Sequence, residues 1–426
     1  MSNTSFPCAG GGEIGRAQVA QAEACGLEPC VDMNPILLKP TGDTGSQVVV
    51  QGRVWKNLTA REYYENYDFL SSKVDESFNR LAEQHDFIVM EGAGSVAELN
   101  LRRTDLVNLG LAQKFNAPVL LVGDIDRGGI FASIYGTLAL LPPDEAALVK
   151  AFAVNRFRGD PSLFTSGVTI LEEKTSKPCL GVFPYATDIH LDEEDGMSTD
   201  RWRPRPEGAP SIAILALPRI SNVTDFRLLP WASWIERPSP KTFDVVILPG
   251  TKNTIADLEW IKTQGLDEWV REQHANGARV IGICGGYQML GRQVDDPHQV
   301  ESSRSGAEGL GLLPVTTRLQ REKVTHAVEA RSPRGQAFAA YEIHMGETTV
   351  QSDVDPFAIV GGKPEGVSAD RCIGTYLHGA LEHPGIVEEW LGYRPPPVPT
   401  KQRSYDQLAE WFEGSADIPL FEKLFL

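Results

Sequence analysis

Nowhere in the 426 residues does the pattern G-x-x-x-x-G-K-[ST] occur, so a backbone phosphate cradle of that kind is absent from the sequence. The six cysteines (Cys8, Cys25, Cys30, Cys179, Cys284 and Cys372) form no C-x-x-C pair. That spacing indicates neither a zinc cluster nor a disulfide framework. No apolar run approaches the ~20 residues that cross a bilayer, and Met1 to Gly12 carry neither a basic region nor an apolar core that would make a secretory signal. Basic residues are outnumbered, 40 to 57, for a net charge of −17, which argues against nonspecific nucleic-acid binding. A local anion site can still oppose the overall field. No internal repeat or long low-complexity tract is present. What remains is an ordinary globular composition, 42% hydrophobic and 23% charged, with length for two or three domains, read here as a cytoplasmic protein without membrane or nucleic-acid partners.

The most informative stretch is Arg279-Val-Ile-Gly-Ile-Cys284-Gly-Gly-Tyr-Gln-Met-Leu-Gly291. Val280 to Ile283 read as a short buried strand, and Tyr287 to Leu290 begin a helix. Between them, Gly282, Gly285 and Gly286 around Cys284 have the spacing of a nucleophile elbow, whose tight strand-to-helix turn tolerates only small neighbours. A thiol at a helix start gains from the dipole and free N–H groups, and the N–H of Gly285 is placed to meet a developing oxyanion. An inert core cysteine would not need those glycines.

Before that point, Gly10, Gly12 and Gly15 fit G-x-G-x-x-G only weakly, since no strand precedes them. Ala9 to Gly12 read as a loop entering a helix from Glu13 to Cys25. Leu37 onward reads as a strand running into a polar loop, and Gln47 to Val54 as a second strand. Tyr63 to Gln84 is helical in pattern. Phe87 to Met90 read as a buried strand ending at Glu91; Pro118 to Val122 as another, ending at Asp124 and Asp126; and Lys150 to Val154 as a third, ending at Asn155. Acids and amides at strand ends of an open α/β sheet are candidates for a metal, phosphate or purine site, though each also serves ordinary turns. Strands alternating with helices predict a doubly wound parallel sheet. The acidic run from Asp192 and the Pro-rich segment to Pro210 read as a linker, after which a second α/β unit starts at Ser211. The predicted organisation is therefore residues 1–200, a linker over 201–210, a domain over 211–397, and a tail over 398–426 with a short helix at Tyr405 to Phe412.

A catalytic thiol needs a base within hydrogen-bond reach. Of eight histidines, His274 and His298 lie in polar segments and His383 precedes Pro384 in a turn-like stretch. His378, at the end of an apolar strand and before Gly379, is favoured over His344 by its strand-end position.

Gly282 to Gly291, Leu248-Pro-Gly-Thr-Lys-Asn253, Tyr341-Glu-Ile-His-Met-Gly346 and Gly374-Thr-Tyr-Leu-His-Gly379 resemble the class I glutamine amidotransferase domain of the cobyric acid synthase family. Gly11-Gly-Glu-Ile-Gly-Arg-Ala-Gln18, Leu38-Lys-Pro-Thr-Gly-Asp-Thr-Gly-Ser-Gln47, Glu91-Gly-Ala-Gly-Ser95, Asp124-Ile-Asp-Arg-Gly-Gly129 and Asn155-Arg-Phe-Arg-Gly-Asp160 resemble its N-terminal part. The likeness runs from about Met1 to about Pro397. It implies two doubly wound α/β domains, the first of dethiobiotin-synthetase, P-loop NTPase type. In that family the first domain opens with a strand and a Gly-Lys-Ser phosphate loop, so the resemblance implies that these are missing here.

The implied activity is ATP- and glutamine-dependent amidation of four peripheral carboxylates (b, d, e and g) of adenosylcobyrinic acid a,c-diamide, giving adenosylcobyric acid. Cys284 would attack glutamine and His378 would move protons, with the N–H groups of Gly250 and Gly285 on the oxyanion. Glu13 and Glu91 would hold magnesium, Asn155 would touch adenine, and Lys39, Asp43 and Ser46 would contact the corrinoid. A homo-oligomer is compatible with this reading. Ala380 stands where ordinary class I amidotransferases carry a Glu two residues after the histidine, a departure shared with the cobyric acid synthase branch. Alternatives are a relative of cobyrinic acid a,c-diamide synthase and a non-catalytic protein that binds corrinoid or a partner.

Overall fold

The computed structural model describes residues 4–40, 45–187, 189, 191, 203–302, 304–397 and 399–426, with Arg103 described by its backbone alone. Contacts divide the chain into two compact units. The first contains residues 1–65, 75–80 and 192–398; the second contains 66–74, 81–191 and 399–426. This differs from the division expected from the sequence in two places. The N-terminal 65 residues pack with the segment that follows the linker, and the C-terminal tail packs into the second unit. Asp192 to Trp202, the acidic run and the first two residues of the expected linker, lie outside the described residues.

The first unit is built on a six-stranded sheet in the order Ser233–Ile235, Ile212–Leu215, Val245–Leu248, Arg279–Ile283, Cys372–Thr375, Val367–Ala369. The first five strands are parallel and the last is antiparallel. Ile-Ala-Ile-Leu and Val-Val-Ile-Leu are buried at every position, as strands covered on both faces must be. Thr254–Thr263 and Leu266–Ala275 are among the helices of this unit, and Ile255, Leu258, Ile261, Leu266 and Val270 are wholly buried. The strand order reverses on either side of Ile212–Leu215, so the sheet is doubly wound, and its carboxyl ends face one crevice.

A second sheet in this unit is dominated by an antiparallel hairpin, Val315–Arg331 against Ala337–Val350. Leu319 pairs with Gly346, yet Val324 pairs with His344, so Gln320, Arg321, Glu322 and Lys323 stand opposite Met345 alone. That irregularity is a large β-bulge.

The N-terminal residues depart from expectation. Glu13 lies not in a helix but on the strand Glu13–Gly15, paired antiparallel with Ser5–Pro7, and the helix begins afterwards as Arg16–Ala24. Ile36–Pro40, Gly45–Val50 and Arg53–Thr59 form an antiparallel meander. The expected single strand from Gln47 to Val54 is broken by Gln51 and Gly52 at φ of 47° and 78°, the left-handed pair of a tight hairpin turn.

The second unit has a parallel sheet ordered Val119–Asp124, Val149–Phe157, Cys179–Pro184, with helices Ile130–Leu140 and Thr165–Thr175 packed on it. Ala151, Ala153, Leu180 and Phe183 on the other face meet the C-terminal helices Lys401–Glu413 and Ile418–Phe425. Trp411 packs tilted against Phe183, ring centroids 5.1 Å apart, and donates its indole N–H to the Pro184 carbonyl at 3.0 Å. The expected strand from Phe87 to Met90 does not form: the backbone there is unpaired, and Phe87 and Val89 are 51% and 81% exposed. An apolar run becomes a strand only where a neighbouring strand supplies its ladder partners, and none of the described strands does so.

Candidate active site

Cys284 stands between the strand Arg279–Ile283 and the helix Gly285–Leu290 at φ 52° and ψ −110°, a conformation costly for any residue with a side chain. Its surroundings over-determine it. The Cys284 N–H donates to the Thr375 carbonyl at 2.8 Å, and its carbonyl accepts from Gln288 N–H at 3.1 Å. A Cβ on Gly286 would stand 2.0 Å from the Leu248 carbonyl oxygen, and one on Gly282 would stand 2.6 Å from the Gly286 carbonyl carbon. Only glycine lets strand and helix approach this closely. The thiol is buried, and its Sγ lies 3.4 Å from the Ile343 carbonyl oxygen.

His378 follows the adjacent strand and has a side chain 0% exposed. Its Nδ1–H donates to Asp225 Oδ2 at 2.8 Å, and the other Asp225 oxygen accepts the Gly379 N–H at 2.6 Å. Nε2 is buried without a hydrogen-bond partner among the described residues. Burial alone would drive the imidazole toward its neutral form, but the Asp225 carboxylate, with the Cys284 sulfur adding to it, holds its pKa up at about 10. Tyr341 stacks on the ring at 5.4 Å, and the two residues exchange backbone hydrogen bonds of 3.0 and 2.9 Å. His344 is held differently. It stacks on Tyr376 at 3.7 Å, its Nδ1–H donates to the Gly346 carbonyl at 2.8 Å, and burial lowers its pKa to about 4. It is a neutral wall residue.

Gly250 packs against the imidazole, where an added Cβ would stand 2.9 Å from Cε1. Its loop is anchored by Asp257, which accepts from Thr251 Oγ1 at 2.5 Å and from Arg219 Nη1 at 2.9 Å. Gly285 lines a cavity of about 260 Å³ together with Cys284, Gln288 and His344. Its N–H is one of the first of the helix, which have no partner four residues back.

Residues 211–385 match the profile of a CobB/CobQ-like glutamine amidotransferase domain, and residues 42–192 match that of an AAA domain. The cobyric acid synthase of Thermoanaerobacter sp. (strain X514) is 43% identical, with 98% of this chain and 90% of that protein covered. That of Sorangium cellulosum (strain So ce56) is 43% identical over 100% of this chain and 91% of its own, and that of Dehalococcoides mccartyi (strain CBDB1) 41% identical over 98% and 90%. The chain belongs to the cobyric acid synthase family. It is thus an enzyme of the glutamine amidotransferase ligase type, and the elbow, His378 and Asp225 all fall inside the matched amidotransferase segment.

The remaining residues expected to be functional in this cobyric acid synthase family member are distributed unevenly. Cys284, His378, Gly250 and Gly285 come together. Glu13 and Lys39 also meet, but as an ion pair: Lys39 Nζ donates to Glu13 Oε2 at 2.5 Å and to Ser5 Oγ at 2.7 Å, and Ser5 Oγ donates to the same Glu13 oxygen at 2.7 Å. Lys323 Nζ takes the other Glu13 oxygen at 2.5 Å. Despite burial, which alone would raise it, the Glu13 carboxyl is held far below the usual carboxylate range by the two ammonium groups. A carboxylate engaged on both oxygens by ammonium groups does not fit a magnesium ligand, which corrects that expectation for Glu13. Among the described residues, no group of three or more His, Cys, Asp or Glu side chains converges as metal ligands.

Glu91 lies in an exposed loop of the second unit. Asn155 is paired with Asp124 two residues before the end of the strand Val149–Phe157, and its Oδ1 accepts the Arg156 N–H at 2.8 Å. Ser46 is on the strand next to Lys39, paired with Pro40 and Leu58, and Asp43 lies outside the described residues. Asp225 was not expected from the sequence, and its one signal is an acid inside the largely apolar stretch Val223 to Trp231. No described helix is long and apolar enough to cross a membrane.

Proposed function

We propose that this chain hydrolyses glutamine at Cys284 and spends the ammonia on the ATP-dependent amidation of the b, d, e and g carboxylates of adenosylcobyrinic acid a,c-diamide, yielding adenosylcobyric acid. The observation that carries the reading is the strained elbow cysteine beside a buried histidine whose far nitrogen is held by a carboxylate. In the first step the Cys284 sulfur attacks the side-chain amide carbon of glutamine, and the tetrahedral oxyanion meets the N–H groups of Gly285 and Gly250. His378, protonated at Nε2, gives that proton to the departing nitrogen as the C–N bond breaks, leaving a γ-glutamyl thioester and ammonia. A water molecule then loses a proton to the neutral His378 and attacks the thioester carbon. Glutamate leaves, and sulfur recovers its starting state. Asp225 acts through His378: it fixes the ring so that Nε2 faces the reacting atoms and stabilises the imidazolium.

The AAA-domain match over 42–192 supports ATP as the activator of the acceptor carboxylate, which as an acyl phosphate would be open to ammonia. Asn155 is the candidate adenine contact, level with the carboxyl end of the neighbouring strand Val119–Asp124, the side of open sheets that binds ligands. Lys39, which lines the cavity, and Ser46 on the neighbouring strand remain candidate corrinoid contacts. The test of the nucleophile is labelling with a glutamine-mimicking diazo-ketone. Modification should fall on Cys284 and vanish in Cys284→Ala, and label spread over several of the six cysteines would overturn the assignment.

A further inference from the structure

The wall of the cavity that Cys284 lines is formed in part by Lys39 and Lys323, two amines set on one carboxylate. Lys323 gets there because of the bulge. A regular hairpin would leave no room opposite Met345 for Gln320 to Lys323, and the three extra residues carry the lysine out of the ladder onto Glu13. The arrangement is unbalanced in charge, since Glu13 neutralises one ammonium and leaves the other. It is also unbalanced in hydrogen bonds. An ammonium has three donors. Lys39 uses two, on Ser5 and Glu13, whereas Lys323 donates to Glu13 alone among the described residues. Lys39 is 5% exposed and Lys323 16%, so the spare donors that reach the cavity are chiefly those of Lys323. Charge left short of an anion in a largely buried site is a standing binding site for one.

We propose that Lys323, supported by Lys39 and Glu13, is the subsite for the α-carboxylate of glutamine, and that it sets the preference of this cavity for an amino-acid amide over a simple amide. The inference rests on the reading of Cys284 as a glutaminase nucleophile. Glutamine enters with its amide at the sulfur and its α-carbon end toward this wall. The α-carboxylate then supplies the anion that the lysine pair lacks. The lowered pKa of Lys39, about 7 through burial and then the repulsion of Lys323, describes the same shortage from the protein side.

The test is calorimetric binding to the full chain carrying Cys284→Ala, with glutamine and with 4-aminobutanamide, the same molecule without its α-carboxylate. Glutamine should bind at least about tenfold more tightly than 4-aminobutanamide, the scale of one charge-assisted hydrogen bond. Adding Lys323→Met should weaken glutamine by about that factor and leave 4-aminobutanamide unchanged, and Lys323→Arg should restore most of the loss. Equal binding of the two amides to the unaltered lysine, or equal weakening of both by Lys323→Met, overturns the subsite, as does undetectable glutamine binding. The first comparison needs no lysine variant, so it stands even if Lys323→Met fails to fold. Failure of the glutaminase reading looks different: glutamine binds with the expected preference, but the Cys284 chain does not hydrolyse it.

Discussion

The two parallel sheets of this molecule end in opposite electrostatic regimes. At the carboxyl ends of Arg279–Ile283 and Cys372–Thr375, the charged partners His378 and Asp225 are 0% and 1% exposed. At the carboxyl ends of Val119–Asp124 and Val149–Phe157 there are more charges, but they lie in solvent. Asp126 pairs with Arg158 at 2.5 and 3.1 Å, Arg156 reaches Asp124 at 3.4 Å, and Arg158 covers the Tyr185 ring at 3.8 Å. The same topology therefore supports two kinds of ion pair. In the first, low dielectric makes one carboxylate decide the protonation of its neighbour. In the second, water screens each pair, and the cluster is kept adaptable.

The largest expected effect is that of Cys284→Ala, which should reduce glutamine hydrolysis to background in a coupled glutamate assay. Activity close to that of the unaltered chain would remove the buried site from the comparison altogether. Asp225→Asn comes next. It should lower kcat/KM for glutamine by about 10²- to 10⁴-fold, the range for a displaced general acid–base group. It should also lower the pKa of His378, because the carboxylate that raises it is gone. The His378–Asp225 pairing contributes stability fully below the ordinary histidine pKa near 6.5 and loses it as pH rises through about 10. The melting difference between the unaltered chain and Asp225→Asn should therefore be greatest in mild acid and shrink toward pH 10. A difference that does not change with pH would show that Asp225 acts only as a loop anchor through Gly379.

Gly286→Ala should cost about 2–3 kcal/mol in chemical denaturation, the upper range for overpacking, because its Cβ meets the backbone oxygen of Leu248 rather than a side chain that can move aside. At the small end, Arg158→Ala in the exposed cluster should leave the melting midpoint within error. A clear drop there would erase the contrast between the two sheet ends.

How much of this could be read from the sequence follows from how far each interaction reaches along the chain. The elbow is local, with three glycines and a cysteine inside five residues, and the pattern reports it in full. The preference for His378 over His344 rests on a strand end alone; what the sequence does not show is that His344 is tied to Gly346 and stacked on Tyr376. Asp225 is not legible in the sequence, because it meets His378 across 153 positions, from a 3₁₀ turn that no periodicity announces. From the sequence Glu13 reads as a helix-start acid, because its decisive partner, Lys323, is 310 positions away. Phe87 to Met90 went the other way. Composition favoured a strand, but a strand exists only with a neighbour, and composition does not reveal one.

The bulge between Leu319 and Val324 has a consequence for how this hairpin tolerates change. Above and below it the two ladders keep their own alternation, with Val324 to Arg331 on one side and Val315 to Leu319 on the other. A residue added or removed among Gln320, Arg321 and Glu322 would leave both ladders paired as they are and alter only how far the next side chain projects. The hairpin thus works as a mounting arm with an adjustable joint. Loop-length variants made there would retune the reach of a single amine by ångström-scale steps, whereas the same insertion anywhere else in the hairpin would turn one whole arm inside out.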